Sequence, residues 1–292
     1  MADVLRPEAA EKHASRRVIQ RRAYGDWAGL VVLAVLAAML AHNVLTNKRW
    51  QWSVIGHYML NPLVLAGLGR TIELTLISAV TGTLFGVVIA LLRLSNSRVC
   101  RGLAFTYIAF MRAVPPLVLL LLLFFTGAII PTVSAGVPFG PDFATTSVNV
   151  FLTQFTAAIV GLTMIVGAHT GEVFRGGILS VARGQKEAAR ALGMPPVTTF
   201  TRVVLPQAVR VSIPGLANEL VSLFKNTSLV TIIGYTELLT VVQEIYGTTY
   251  QTVPMLLVAF FWYLLLTSIA MVGQAALERR FGRGFATAGT GR

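Results

Sequence analysis

The chain has 292 residues, of which 55% are hydrophobic and only 12% are charged. A mean hydropathy of +0.71 excludes an ordinary soluble domain and predicts a membrane protein with several spans. The net charge of +12 would suggest a nucleic-acid partner in a soluble chain, but these basic residues fall between apolar segments, so we expect no nucleic-acid partner. The single cysteine, Cys100, excludes a disulfide framework and a cysteine-rich metal site.

The apolar segments are long enough to predict an all-α membrane protein with six transmembrane helices. In chain order, the predicted spans cover residues 27–45, 65–92, 103–126, 151–174, 211–233 and 253–277. We expect an external loop at 127–150, which holds Gly, Pro and Ser, and a polar external segment at 234–252.

The distribution of Lys and Arg predicts the orientation of the chain. With both ends in the cytoplasm, twenty of the 24 basic residues lie inside and only Lys48, Arg49 and Arg70 lie outside. The remaining one, Lys225, falls within a span. The predicted organisation is a cytoplasmic basic tail (1–26), an N-terminal transmembrane helix with its external connection (27–60), a core of five spans (61–280) and a cytoplasmic tail (281–292).

Two predicted spans carry small residues at helical spacing, which close helix packing in lipid requires. On the second span they are Thr71, Thr75, Ser78, Gly82 and Gly86. Gly167 and Gly171 form a similar pair on the fourth span. We expect these faces to serve helix packing.

A short helix is predicted between the fourth and fifth spans, over residues 184–193. Its Ala, Glu, Lys, Arg and Leu residues favour helix, and Gly193 followed by Pro195 and Pro196 is a typical stop. About ten residues are too few to cross a bilayer, so this helix is expected on the cytoplasmic surface. It faces either water and a partner, or lipid headgroups as an amphipathic helix.

The spacing around this helix resembles the cytoplasmic-loop signature of ABC importer permeases. The pattern is Glu-Ala-Ala at 187–189, three residues, Gly193, nine residues, Val203 in place of the family's Ile, one residue, and Leu205-Pro206. The resemblance implies a coupling helix that docks into a cleft of the ATP-hydrolysing subunit. The residues it assigns to this coupling are Gly184, Glu187, Ala188, Ala189, Arg190, Gly193, Leu205 and Pro206.

Further segments are similar to the polar amino acid branch of the same family. They are residues 69–76, 91–95, 174–178, 205–208 and 225–229. The resemblance implies a type I ABC importer permease-like bundle in the bacterial cytoplasmic (inner) membrane, dimerising with a copy or a homologue around a central pathway. It also implies an extracytoplasmic solute-binding protein, a polar amino acid as substrate, and ATP and Mg bound by the partner ATPase rather than by this chain. His169 replaces a usual Tyr, so no specific amino acid is assigned.

Ionisable residues inside spans are candidates for function because a charge in a membrane is costly. Lys225 lies fifteen residues beyond Arg210, about 22 Å along a helix. Asn218, Ser222, Lys225 and Asn226 share one face of the fifth span, and we call this set the polar stripe. The stripe either lines a solute pathway or belongs to a buried network in which Lys225 pairs with Glu73 or Glu172.

Two other pairs have the spacing of an ion pair on a helix. Glu172 and Arg175 lie three residues apart, as do Arg70 and Glu73, so each pair is expected to form a salt bridge. His169, the only His of its span, is expected to be packed rather than to act as a ligand.

Catalytic motifs are not found in the sequence. It has no phosphate-binding loop of the G-x-x-x-x-G-K-[ST] type, no paired Cys or His spacing for a metal, and no evident hydrolase triad. The chain is therefore predicted not to be an enzyme. The alternative class is an ion-coupled secondary transporter, in which Lys225, Glu73 or Glu172 would relay protons. It explains the intramembrane charges but not the coupling loop.

Overall fold

The computed structural model describes residues 24–137, 140 and 142–281, with side chains from residue 27 onward. The described chain forms two compact units, one ending at Trp50 and one beginning at Gln51. Most of the predicted basic tail (1–26) and all but the first residue of the predicted C-terminal tail (281–292) lie outside the described residues.

The first unit is one apolar helix followed by a short 3₁₀ turn. Helix α1 covers Tyr24–Thr46, and the turn covers Lys48–Trp50. Within α1, the twenty residues from Trp27 to Thr46 contain no charged side chain and have a mean hydropathy of 2.2. Its length and composition are those of the predicted first span.

The second unit is helical except for one β-hairpin. Its helices are α2 (Trp52–Met59), α3 (Pro62–Leu94), α4 (Arg98–Ala113), α5 (Pro116–Phe124), α6 (Thr126–Ile129), α7 (Val148–Phe151), α8 (Gln154–Ser180), α9 (Arg183–Ala191), α10 (Pro196–Thr199), α11 (Leu205–Asn226), α12 (Leu238–Thr249) and α13 (Thr252–Phe281). A π-helical turn, Phe200–Val204, precedes α11, and a 3₁₀ helix, Thr227–Ile233, follows it.

Four described helices are long and apolar enough to cross a membrane: α1, α3, α8 and α13. Two bent pairs also qualify when each is taken as one span. They are α4 with α5, bent by 104°, and residues 196–233 with α12, bent by 48°. The described part of the chain therefore contains four to six candidate spans, and the predicted count of six is its upper value.

The third predicted span, 103–126, is wrong as a continuous helix. The chain breaks between α4 and α5, where Val114 is extended at φ −82° and ψ 131° and Pro115 at φ −60° and ψ 132°. A residue before proline avoids the helical region, and proline donates no hydrogen bond, so two successive prolines end one helix and begin another. Hydropathy over this region shows only that it is apolar, not that it is straight.

The most extensive contact between two described helices is that of α3 with α8. A Cβ atom on Gly82 would lie 2.6 Å from the side chain of Val166, and one on Gly86 would lie 2.0 Å from Oγ1 of Thr170. Gly171 on α8 faces α3, and a Cβ atom on it would lie 3.3 Å from the carbonyl oxygen of Gly86. Thr71, Thr75 and Ser78 are buried on the same side of α3. The predicted packing faces are confirmed.

The loop predicted at 127–150 contains a two-stranded hairpin. Strand β1 (Thr132–Gly136) pairs antiparallel with β2 (Asp142–Ser147), with Val133 opposite Thr146 and a register shift after Ala135. Both strands are exposed along their whole length. The hairpin therefore stands outside the helical core.

The segment 234–252, predicted only as polar and external, forms α12 over most of its length. Glu237 begins this helix: its Oε1 accepts the N–H of Thr240 at 3.0 Å. Its Oε2 accepts the hydroxyl of Tyr263 on α13 at 2.6 Å and lies 3.1 Å from Oγ1 of Thr71 on α3. Glu237 is fully buried, so one carboxylate joins α3, α12 and α13.

Candidate functional site

The short helix predicted over 184–193 is present as α9, Arg183–Ala191. Gly193 has φ +72°, a left-handed conformation that glycine adopts readily. Its N–H donates to the carbonyl of Arg190 at 2.9 Å, and the N–H of Met194 donates to the carbonyl of Ala189 at 3.0 Å. These two bonds are the Schellman ending of a helix, so Gly193 is the predicted cap.

One face of α9 packs against the rest of the protein, and the other faces are exposed. Ala189 is buried, and α9 lies against α10 and the π-helical turn. The exposed residues of the loop include Gly184, Glu187, Ala188, Arg190, Ala191, Leu192 and Gly193. Leu192, just beyond the last residue of α9, is 81% exposed. The exposed face therefore combines charge with small and apolar residues.

Leu205 and Pro206 begin α11, and both are exposed. Proline suits the first turn of a helix because its missing N–H would have no partner there. The neighbouring Val204 and Ala208 are buried against Val181 at the end of α8. This small cluster fixes the loop between the two long helices that enter and leave it.

The polar stripe lies on α11 as predicted, and its members differ in exposure. Asn218 and Lys225 are exposed, whereas Ser222 and Asn226 are partly buried. Among the described residues, no carboxylate lies within 4.0 Å of the Lys225 ammonium. Of the two alternatives for the stripe, the pairing of Lys225 with Glu73 or Glu172 is therefore not formed within this part of the chain.

The two predicted ion pairs have opposite outcomes. Glu172 and Arg175 form the expected pair, with Nη2 of Arg175 2.7 Å from Oε2 of Glu172. Arg70 does not pair with Glu73: its Nη1 instead donates to the carbonyl of Thr236 at 3.3 Å. The turn before α12 offers this backbone acceptor, so Glu73 remains exposed on α3.

The structure adds a contact between α8 and α11 that the sequence reasoning missed. Nδ1 of His169 lies 3.2 Å from Oε2 of Glu219, and the two side chains are 36% and 20% exposed. His169 was expected only to be packed. Glu219 gave a signal that was overlooked, because it is an ionisable residue inside a predicted span and directly follows Asn218 of the stripe.

Metal-binding groups are not found at these positions. Within residues 27–137, 140 and 142–281, no three His, Cys, Asp or Glu side chains come together in a way that could hold a metal ion.

Residues 82–283 match the family described as the binding-protein-dependent transport system inner membrane component. The chain belongs to this family. It is a multi-pass inner-membrane permease subunit of an amino acid ABC transporter, a transport component rather than an enzyme, and permease subunits of this kind carry no cofactor themselves. The family is one whose permeases work with an ATPase, a second permease and a binding protein.

Two relatives illustrate the match in sequence. The arginine transport system permease protein ArgU of Corynebacterium glutamicum is 36% identical over 262 residues, covering 89% of this chain and 81% of that protein. The histidine/lysine/arginine/ornithine transport system permease protein HisQ of Salmonella typhimurium is 32% identical over 231 residues, covering 78% of this chain and 96% of that protein.

Solved structures agree on the fold. A chain from a crystal structure of an amino acid ABC transporter with histidines has a TM-score of 0.63 and 30% identity, covering 75% of this chain and 94% of that one. A chain from the MetNI methionine ABC transporter in an inward-facing conformation has a TM-score of 0.60 at 19% identity, which supports the fold alone.

Proposed function

We propose that this permease subunit carries a polar amino acid inward across the bacterial cytoplasmic membrane, driven by ATP hydrolysis on a separate subunit. The observation that carries the proposal is the exposed face of α9, a helix that ends at the left-handed Gly193 and is anchored through the buried Ala189. A short helix with small residues at its surface allows close approach of a partner, and Glu187 and Arg190 present charges at its rim. This face is the docking site for the ATPase.

The basic residues support the orientation in which α9 faces the cytoplasm. Arg183, Arg190, Arg202 and Arg210 are exposed in and around this loop, and basic residues collect on the cytoplasmic side of membrane proteins. Both termini then lie in the cytoplasm, and Arg70 and the hairpin face outward. A solute-binding protein delivers the amino acid on that outer side.

The polar stripe on α11 is the proposed lining of the solute pathway. A polar face on a membrane helix must meet protein or water rather than lipid. Lys225 and Asn218 are exposed in the single chain, so a second permease subunit is required to enclose them. The pathway therefore lies between two permeases, with ATP and Mg bound by the partner ATPase.

An ion-coupled transporter remains the alternative, and the arrangement of charges argues against it. A proton relay needs successive titratable groups within reach of one another. Glu172 is paired with Arg175 on its own helix, and Glu73 lies on α3 without an ion pair among the described residues. Neither carboxylate approaches Lys225.

Reconstitution tests this function directly. The chain is co-expressed with its ATPase and a homologous binding protein, and uptake of labelled polar amino acids into proteoliposomes is measured with ATP and with a non-hydrolysable analogue. We expect uptake only with ATP, and no hydrolysis by the purified permease alone. Uptake driven by a proton gradient without the ATPase would contradict the proposal, as would hydrolysis by the lone subunit.

A further inference from the structure

A groove of about 580 Å³ is formed by α3, α8, α11 and α13, on the side of α11 that faces away from the polar stripe. Its lining on α11 includes Ile213, Leu216 and Leu220. At about 100° per residue, these side chains lie roughly 170° around the helix from the centre of the stripe. The groove is therefore separate from the proposed solute pathway.

The groove is apolar, elongated and open on one side. Val80 and Leu84 of α3 line it and are 60% and 63% exposed. Gly273 of α13 lines it too, and nothing lies within 4 Å of a Cβ atom added there. Because Ile213 and Leu223 both belong to the lining, the groove extends about 15 Å along α11. An uncovered apolar surface of this kind marks a place where another molecule or lipid binds.

Polar side chains in the lining already have hydrogen-bond partners. Oγ1 of Thr170 donates to a carbonyl of its own helix at 2.8 Å, and Nε2 of Gln274 donates to Oε1 of Glu278 at 2.9 Å. The carboxylate of Glu219 is in contact with Nδ1 of His169 at 3.2 Å. The groove therefore suits a hydrocarbon chain better than a polar solute.

Two arginines continue the lining of the groove. Arg210 lies three residues before Ile213 on α11, and Arg280 lies three residues beyond Leu277, which lines the groove on α13. Both are exposed, and neither has a carboxylate within 4.0 Å among the described residues. In the proposed orientation α11 begins and α13 ends on the cytoplasmic side, so the two arginines lie at the same end of the groove. Basic groups at such a position bind the headgroups of anionic lipids.

We propose that this groove binds an acyl chain of an anionic phospholipid, whose phosphate is bound by Arg210 and Arg280. A guanidinium group stays charged and can form two parallel hydrogen bonds to a phosphate. The chain carries a net charge of +12, so a second copy of it is a poor source of the anion that these arginines lack. The lipid packs against α3, α11 and α13 together and so stabilises α11, which begins at the end of the α9 loop. This inference rests on the proposed orientation and not on the path of the solute.

Phosphatidylglycerol and phosphatidylcholine are the matched probes, since they can carry the same acyl chains and only the first has a net negative charge. Binding of each to the purified complex of the permease with its ATPase is measured by native mass spectrometry from detergent. We expect the wild type to bind phosphatidylglycerol at least about tenfold more tightly, because each arginine near an anionic headgroup adds to the affinity. Inorganic phosphate should not displace the lipid, since it has no chain to fill the groove.

Charge variants test the headgroup site. Arg210→Gln and Arg280→Gln should each weaken phosphatidylglycerol several-fold and leave phosphatidylcholine unchanged. Arg279→Gln is the matched control, because Arg279 is an exposed neighbour on a face of α13 that does not line the groove. It should leave both affinities at the wild-type values.

A size variant tests the site of the acyl chain. Gly273→Phe places a ring in the groove from a position with open space around it, so it should weaken both lipids to the same extent. Ala276→Phe is the control, since Ala276 is exposed on α13 outside the groove and should leave both affinities unchanged.

Equal binding of the two lipids by the wild type overturns the inference, as does wild-type affinity for phosphatidylglycerol in both arginine variants. If Gly273→Phe leaves lipid binding unchanged but separates the two permeases of the complex, a second copy covers the groove and the inference is also wrong. ATP-driven uptake into proteoliposomes is measured separately. Normal uptake beside equal lipid binding would leave the proposed function standing while this inference fails.

Discussion

The hydroxyl of Tyr263 lies 2.6 Å from Oε2 of Glu237, which makes a carboxylate the meeting point of three helices. Glu237 is fully buried, and it also accepts the N–H of Thr240 at the start of α12. A buried carboxylate is tolerated only where donors surround it, because its desolvation is otherwise unfavourable. The bond is therefore a determinant of how α12 is held against α3 and α13.

Replacement of this tyrosine should destabilise the permease. In Tyr263→Phe the ring is retained but the hydrogen bond to Glu237 is lost, which should lower the free energy of unfolding by about 1–3 kcal/mol. The measurement is thermal unfolding of the purified protein in detergent. Tyr250→Phe is the control, since Tyr250 is 89% exposed and should leave the melting temperature unchanged. Equal melting temperatures for both variants would show that the bond contributes nothing.

The glycine contact between α3 and α8 gives a second stability prediction. In Gly86→Ala the new methyl group would lie 2.0 Å from Oγ1 of Thr170, so one helix must shift. Overpacking of this kind should cost about 1–3 kcal/mol. Gly69→Ala on the same helix is the matched control, because nothing lies within 4 Å of its added Cβ atom. Unfolding in detergent is compared, and a normal melting temperature for Gly86→Ala would contradict the close packing.

Features set by local sequence could be predicted. Gly193 and the two prolines that follow it are enough to predict where α9 ends. The spacing of the small residues on α3 and α8 is likewise enough to predict the faces through which these helices pack. The pairing of Glu172 with Arg175 is equally local, because residues three apart are neighbours on any helix.

Features set by tertiary contacts could not be predicted. The polarity of residues 234–252 did not indicate a helix, yet α12 forms there because Glu237 finds donors on helices far away in sequence. Arg70 likewise bonds the carbonyl of Thr236, which no sequence spacing indicates. The bend at Pro115 is different, since the prolines were visible but the apolar composition around them favoured an unbroken span.

Variants of α9 test the docking surface. Gly193→Pro removes the N–H that bonds Arg190 and cannot adopt φ +72°, so the end of α9 is lost. Glu187→Lys reverses an exposed charge without touching the fold. Both should reduce recovery of the ATPase in pull-downs from membranes several-fold, while insertion of the permease is unchanged. Gly176→Ala, an exposed glycine of α8 with open space around it, is the control. Wild-type recovery with both loop variants would exclude docking at α9.

The exposure of Lys225 leads to a prediction about transport and assembly together. A lysine that holds a buried carboxylate leaves an uncompensated charge when removed, which costs about 3–5 kcal/mol and disturbs assembly. Lys225 has no carboxylate within 4.0 Å among the described residues. Lys225→Met should therefore assemble with the ATPase at the wild-type yield.

Transport by the same variant should fail, because the solute carboxylate would have no cation to meet at this level of α11. Uptake into proteoliposomes is scored beside the yield of the complex, with Lys48→Met as the control for loss of an exposed positive charge. Low yield would mean that Lys225 has a structural partner in the assembled dimer. Normal uptake would mean that the solute passes elsewhere. If Lys225 binds the solute, the variant should assemble normally and lose uptake. No other combination of results agrees with that role.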